Sequence, residues 1–374
     1  MNTIYKYQKI NYLKSALILS FNCFLVSLSI FSELNTEEIQ TDILFRSIDE
    51  YISEQKLPLL PKADDINSLL KKVEQLQQLI DYAENHKDNE IIPQAIRLIE
   101  ILYEDALKKY PDNIRLYDYY GSFLYDYKMD YLNSVKLWEK AYEINPKDAS
   151  INNNLALHYF HIGEYDKGWK YLQEALKYGD TEPNIQYNAA QIFIIYRNQI
   201  QERTGWDKQK IYKKAMDFSE KAVKLKPDDF ELCKDYALNY FTAFQFGLPV
   251  DGKKSAQAWR IARKVARNDD EIFYTWLNEG RAWLSVKKLD NARQCLLEAL
   301  KIKPDSEITK NILMQIESGE IKDYFNNEKK NTRNYGAEEH RNPFLSPLKN
   351  FTGRKKSKNP LQNRNIEATK QVNK

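Results

Sequence analysis

The stretch Ala106-Leu-Lys-Lys-Tyr-Pro111 returns as Ala141-Tyr-Glu-Ile-Asn-Pro146, as Ala222-Val-Lys-Leu-Lys-Pro227 and as Ala299-Leu-Lys-Ile-Lys-Pro304. In each copy a Pro stands five residues after an Ala, and an Asp follows within two residues: Asp112, Asp148, Asp228 and Asp305. A fifth copy, around Ala175, ends in Tyr178-Gly179-Asp180 without the Pro; Ala106 to Ala141 is 35 residues and Ala141 to Ala175 is 34. A phrase that recurs at such a step marks a repeat architecture. Its chemistry is that of one helix ending and another beginning. Pro has no N–H and clashes with the preceding turn, an Asp beyond it can accept from the first free N–H groups of the next helix, and Ala lets two helices approach closely.

Outward from the phrase, a second helical segment precedes each Pro. Asn152-Asn-Asn-Leu-Ala-Leu-His-Tyr-Phe puts Leu155, Ala156 and Tyr159 on one face, Gly163 breaks the chain, and Gly168, Leu172 and Ala175 share a face of the next helix. The unit is a helical hairpin of about 34 residues. Six such pairs are predicted: 64–111, 114–146, 149–178, 183–227, 230–267 and 272–304. A helix over 35–55 precedes them, and one over 308–317 caps the end, since a solenoid needs a more polar last element.

These units resemble tetratricopeptide repeats. That family favours an aromatic, a small residue and another aromatic in the first helix. Its second helix favours Ala, a large apolar residue and Ala, closed by Pro. The last unit matches with Trp276, Gly280, Trp283, Ala292, Leu296, Ala299 and Pro304, and an earlier one with Tyr117, Gly121, Trp138, Ala141 and Pro146. The earlier unit departs in having Ser134 where Ala is preferred, and one extra residue in its turn. The resemblance covers roughly 64–317 and implies an all-α superhelix, a solenoid of about six hairpins. It also implies a non-catalytic scaffold that binds a protein or peptide partner on the concave side, lined by the first helices. Projected onto this chain, the groove residues are Arg115, Asp118, Ser122, Asn153, Leu157, His161, Tyr187, Gln191, Lys234 and Arg281. Two segments interrupt the pattern, 196–208 and 245–252. Both fall at turns within hairpins and are expected to protrude, with Trp206 and Phe246 as contact residues. An envelope-assembly subunit that uses these insertions is the alternative reading, and an enzyme whose active site lies on an insertion is the third.

The totals agree with a helical protein. Gly (11) and Pro (12) are scarce in 374 residues, against an all-β chain rich in tight turns. The 26 Tyr sit largely within helical stretches, where flat rings fill space between helices. The net charge of +3 is uneven. Residues 1–32 hold Lys6, Lys9 and Lys14 and no acid, and 318–374 hold 13 basic and 6 acidic residues, which leaves −7 on 33–317. An acidic body with basic ends does not look like a nucleic-acid-binding domain.

The basic start precedes the apolar run Ala16 to Phe31, the layout of a secretory signal. An uncleaved anchor, a lipid-modified Cys23 and a buried helix of the fold are the competing readings; the signal and the anchor place the body outside the cytoplasm. From 318 onward periodicity fades, and the tail, with its basic run Arg354-Lys-Lys-Ser-Lys358 and the short segment Phe344-Leu-Ser-Pro-Leu348, reads as largely disordered.

No catalytic constellation stands out: there is no glycine-rich phosphate loop and no Gly-x-Ser-x-Gly elbow. Neither a cofactor nor a metal is expected. His158 and His161 are three apart on a helix, but no acid or Cys completes a site. Cys233 and Cys295 read as small core residues. The pairs Asp228-Asp229 and Asp269-Asp270 read as helix-start residues that cap and complement the dipole.

Overall fold

The computed structural model describes residues 36–319, apart from 56, 58, 59 and 61–64. The leader read from 1–32, with Cys23, and the tail beyond 319, with 344–348 and 354–358, lie outside the described residues. All the described elements are helical, and no strand occurs among these residues. They fall into two compact units that part between Lys109 and Tyr110.

The first unit holds α1 (Thr36–Glu54), α2 (Ile66–His86) and α3 (Ile91–Lys109). Asp65 and Ser68 close a capping box at the start of α2, each side chain accepting from the other's backbone N–H. The chain leaves α2 through Lys87 at φ 58°. Both α1 and α2 pack on α3, burying Ile48, Ile52, Leu76, Ile80, Leu98 and Ile99. The first predicted hairpin thus belongs with the preceding helix.

The second unit holds the other five hairpins. They are α4 (Ile114–Phe123) with α5 (Tyr131–Ile144), α6 (Ala149–His161) with α7 (Tyr165–Tyr178), and α8 (Pro183–Ile195) with α10 (Lys208–Leu225). After them come α11 (Phe230–Asn239) with α12 (Gly252–Lys264) and α13 (Asp269–Ser285) with α14 (Leu289–Ile302); α15 (Glu307–Ser318) ends the stack. Each second helix also packs on the first helix of the next hairpin, as α5 on α6, α10 on α11 and α12 on α13.

The recurring phrase does what its chemistry predicts, with one correction. Ala106, Ala141, Ala175, Ala222 and Ala299 are buried where helices meet. Helices α5, α10 and α14 each end two residues before a Pro. Of the four flagged Asp residues, however, only Asp148 caps the next helix, accepting from Ile151 N at 3.0 Å. In the other three the cap is one residue later: Asn113, Asp229 and Ser306. In the pair at 269–270 the cap is Asn268, and both acids lie in the first turn, where the helix dipole favours them.

Close approach decides one glycine. A Cβ on Gly121 would lie 2.5 Å from Trp138 Nε1, so only glycine lets the fully buried indole seat across α4 and donate to the Asp118 carbonyl at 3.3 Å. The extra residue of this hairpin's turn is absorbed as a π-helical stretch, Leu124–Lys128, which ends at Met129 with φ 54°.

The two insertions fold instead of protruding. The first forms α9 (Arg197–Thr204), closed by Gly205 at φ 67°, and it buries Ile200 in the core. The second begins as a 3₁₀ helix, Phe241–Phe246. Phe246 is only 3 % exposed and packs on Tyr212 with ring centroids 5.2 Å apart, so it is a core residue and presents no contact to a partner. Apolar side chains in a loop gain more from burial beside the stack than from solvent.

Candidate functional site

In the second unit the first helices α4, α6, α8, α11 and α13 carry the groove positions. Arg115 is exposed; Asp118, His161, Tyr187, Gln191, Lys234 and Arg281 are partly buried. Ser122, Asn153 and Leu157 are 3 %, 4 % and 3 % exposed. All three are buried, so their side chains are not presented to a partner.

The predicted residues are tied to neighbours one position beyond other predicted ones. Asn154 Nδ2 on α6 donates to Asp118 Oδ1 on α4 at 2.7 Å. Asn188 Nδ2 on α8 donates to Asn153 Oδ1 on α6 at 3.0 Å. The Tyr187 hydroxyl on α8 donates to Asp235 Oδ2 on α11 at 2.7 Å. Three successive junctions between hairpins are thus bridged by the same device, a side chain of one first helix bonded to the next. Asn153 Nδ2 donates to Asn154 Oδ1 at 3.4 Å, which joins the first two bridges, and Ser150 Oγ donates to Asp118 Oδ2 at 2.8 Å.

The row continues through charges. Lys234 pairs with Glu231 at 2.5 Å and lies 3.9 Å from Asp235, and Arg267 reaches Glu231 at 3.3 Å and Glu271 at 2.5 Å. The structure therefore brings Asp118 together with Asn153, and Tyr187 with Lys234. Arg281 instead holds Asn278 within its own helix at 3.2 Å. Asn154, Asn188 and Asp235 were missed by sequence reasoning; their signal is adjacency to flagged residues, at separations of 36, 35 and 48 between bonded partners.

Burial sets the electrostatics. It pushes the Asp118 carboxyl up to about 6; bonds from Ser150 and Asn154 oppose the shift, and the Asp148 charge adds to it. Burial works against the Lys234 ammonium, but the Asp235 and Glu231 carboxylates outweigh it and hold the charge firmly. Burial lowers His158 to about 4, with His161 contributing, and lowers His161 as well. His161 Nδ1 lies 2.9 Å from the Tyr125 hydroxyl. Among the described residues no group of three His, Cys, Asp or Glu is placed to hold a metal ion. Burial raises the Cys233 thiol to about 11 and the Cys295 thiol to about 12, as for small core residues.

A second polar cluster sits where α12 meets α13. Glu279 is 1 % exposed and accepts from Arg260 Nε at 2.7 Å, Arg263 Nη2 at 2.6 Å and Trp283 Nε1 at 3.3 Å. The Arg263 guanidinium also lies 3.4 Å from the centre of the Trp276 ring.

Stacked hairpins, three of them closed by Pro and the row bridged along its first helices, define a helical-repeat fold. Residues 273–306, from α13 into the start of α15's cap, match the family model described as tetratricopeptide repeat. That segment, one of the hairpins of the second unit, is what the chain shares with the family. It is 23 % identical over 201 residues to the human protein O-mannosyl-transferase TMTC1, covering 48 % of this chain and 22 % of that protein, so it spans about a fifth of the relative's length. Among solved structures it is similar to PilW, described as a widely conserved type IV pilus biogenesis factor, at 17 % identity. That match covers 64 % of this chain and 98 % of PilW at a TM-score of 0.42. It is also similar to the C-terminal part of a TPR repeat-containing protein from Cytophaga hutchinsonii, at 14 % identity, 71 % and 98 % coverage and a TM-score of 0.42. Among the described residues no helix is long and apolar enough to cross a membrane.

Proposed function

We propose that this chain is a non-catalytic scaffold that holds an extended segment of a protein partner along the first helices of its second unit. The observation that carries this reading is the bridged row from Asp118 through Asn188 to Tyr187, Asp235 and Lys234. It fixes successive first helices against one another before any partner arrives. A groove already ordered loses little conformational freedom on binding, and that spares affinity. Arg115, His161, Tyr187, Gln191, Lys234 and Arg281 mix donors, acceptors and single charges, as suits hydrogen bonding to an extended backbone with side-chain discrimination. The −7 body and the basic, then apolar, start of the chain support export, with the leader removed or kept as an anchor.

The test is capture from the native envelope by the full chain and by a Gln191→Ala, Lys234→Ala, Arg281→Ala variant. Loss of the specifically captured protein in the variant, with its thermal melt unchanged, is expected. Equal capture by both overturns the groove reading. Protease accessibility in intact cells, with the amino-terminal residue of the mature chain, reports on export.

A further inference from the structure

We propose that the start of α10, with the folded insertion before it, is a second docking surface, and that it takes an acidic polypeptide segment. Between 203 and 214 the chain holds Arg203, Lys208, Lys210, Lys213 and Lys214 against one acid, Asp207. The four lysines are exposed, and none of them makes an ion pair among the described residues. Several lysines elsewhere on the second helices behave differently, Lys224 further along α10 among them. Lys140 pairs with Glu143 at 2.9 Å, Lys177 with Glu174 at 3.4 Å, Lys224 with Glu220 at 2.9 Å and Lys301 with Glu298 at 2.6 Å. The acids nearest the patch are occupied or set apart. Asp207 caps α10 by accepting from Lys210 N at 2.7 Å, Asp166 pairs with Arg203, and Glu202 and Asp217 stand exposed at its two ends.

Two of the four ammonium groups are also held in place. Lys210 Nζ lies 4.4 Å and Lys214 Nζ 5.9 Å from the centre of the Trp206 ring, and the Arg203 guanidinium lies 5.9 Å from that of Trp169. The two indoles meet edge to face at 6.4 Å, and Trp206 reaches Phe193 in the core at 6.4 Å. A cation over an indole keeps its charge while losing freedom. The insertion and the start of α10 thus present exposed positive charge, with Lys210 and Lys214 anchored on Trp206.

The geometry favours carboxylates over two other polyanions. A lipid surface calls for an apolar group that can enter it, and the one large apolar side chain in the patch, Trp206, is half-buried against Trp169 and Phe193. Nucleic acid needs positive charge over a long track, and the body around this short patch carries −7. Carboxylates spaced along a short segment match lysines three and four residues apart on one helix face.

The experiment measures fluorescence anisotropy of a labelled Glu-rich peptide of about twelve residues, with an all-Gln peptide of the same length as control, against the full chain and its Lys210→Glu, Lys214→Glu variant. Phosphatidylglycerol vesicles and a short single-stranded oligonucleotide are run in parallel. Both positions are solvent-facing, and a melt of the variant checks its fold. The proposal expects salt-sensitive binding of the Glu-rich peptide alone, weakened about tenfold or more by the charge reversal and unchanged in the Gln191→Ala, Lys234→Ala, Arg281→Ala groove variant. No binding of the Glu-rich peptide, binding untouched by the charge reversal, or stronger binding to the vesicles or the oligonucleotide overturns it.

Discussion

Asn188 donates its side-chain amide to Asn153 Oδ1 at 3.0 Å, and both residues are buried between the first helices of adjacent hairpins. Neither amide has water to fall back on, so deleting one partner leaves the other's polar group uncompensated. Asn188→Ala is expected to cost about 1–3 kcal/mol. Pairing it with Asn153→Ala adds less than the sum of the single changes, because the bond is lost only once. Urea unfolding of the single and double variants measures the coupling; strict additivity would show that the two amides act independently.

Asp118 carries a pH signature. Its folded-state carboxyl sits near 6 against an ordinary 3.8, so between those values the folded chain binds more protons than the unfolded one. Stability from this group is therefore present below about 3.8, is lost as pH rises toward 6, and is flat above it. Asp118→Asn should remove this slope, since Ser150 can reverse its hydroxyl to accept from the new amide. The check is the difference in melting temperature between wild type and variant from pH 4 to 8. A difference that does not change with pH would rule the assignment out.

Gly121 and Trp138 make a steric prediction. A methyl group on residue 121 would sit 2.5 Å from the indole Nε1. Trp138 is fully buried and has no room to retreat. Gly121→Ala is expected to destabilise by about 1–3 kcal/mol through overpacking, despite the better helix propensity of Ala. A lowered melting temperature with a red-shifted tryptophan emission is the expected result, and a stabilised variant would contradict it.

Glu279 separates two arginines by exposure. Both bond the same buried carboxylate, but the Arg260 side chain is 51 % exposed and Arg263 only 17 %. Glu279→Ala strips the charge partner from the more enclosed guanidinium and should cost about 3–5 kcal/mol. Arg260→Ala should cost about 1 kcal/mol or less, because water screens that pair and Arg263 and Trp283 remain on the carboxylate. Thermal melts rank the two variants, and a reversed order would refute the argument.

What the sequence determined by itself is the set of hairpins and where they stop. Pro146, Pro227 and Pro304 end helices through missing N–H groups, Ala141, Ala175 and Ala299 mark close helix contacts, and both effects act within a few residues. Even there the cap was misplaced by one residue at Asn113, Asp229 and Ser306, since Asp, Asn and Ser all serve and only the local backbone chooses. What the tertiary structure alone decided is which groove side chains meet. The bonds of Asp118 to Asn154, Asn153 to Asn188 and Tyr187 to Asp235 join residues 36, 35 and 48 apart, the last step lengthened by an insertion that no fixed period reports. The inward turn of Phe246 and the burial of Glu279 belong there too. Both depend on space left by other hairpins, and helical periodicity encodes which face a residue occupies, not what waits opposite it.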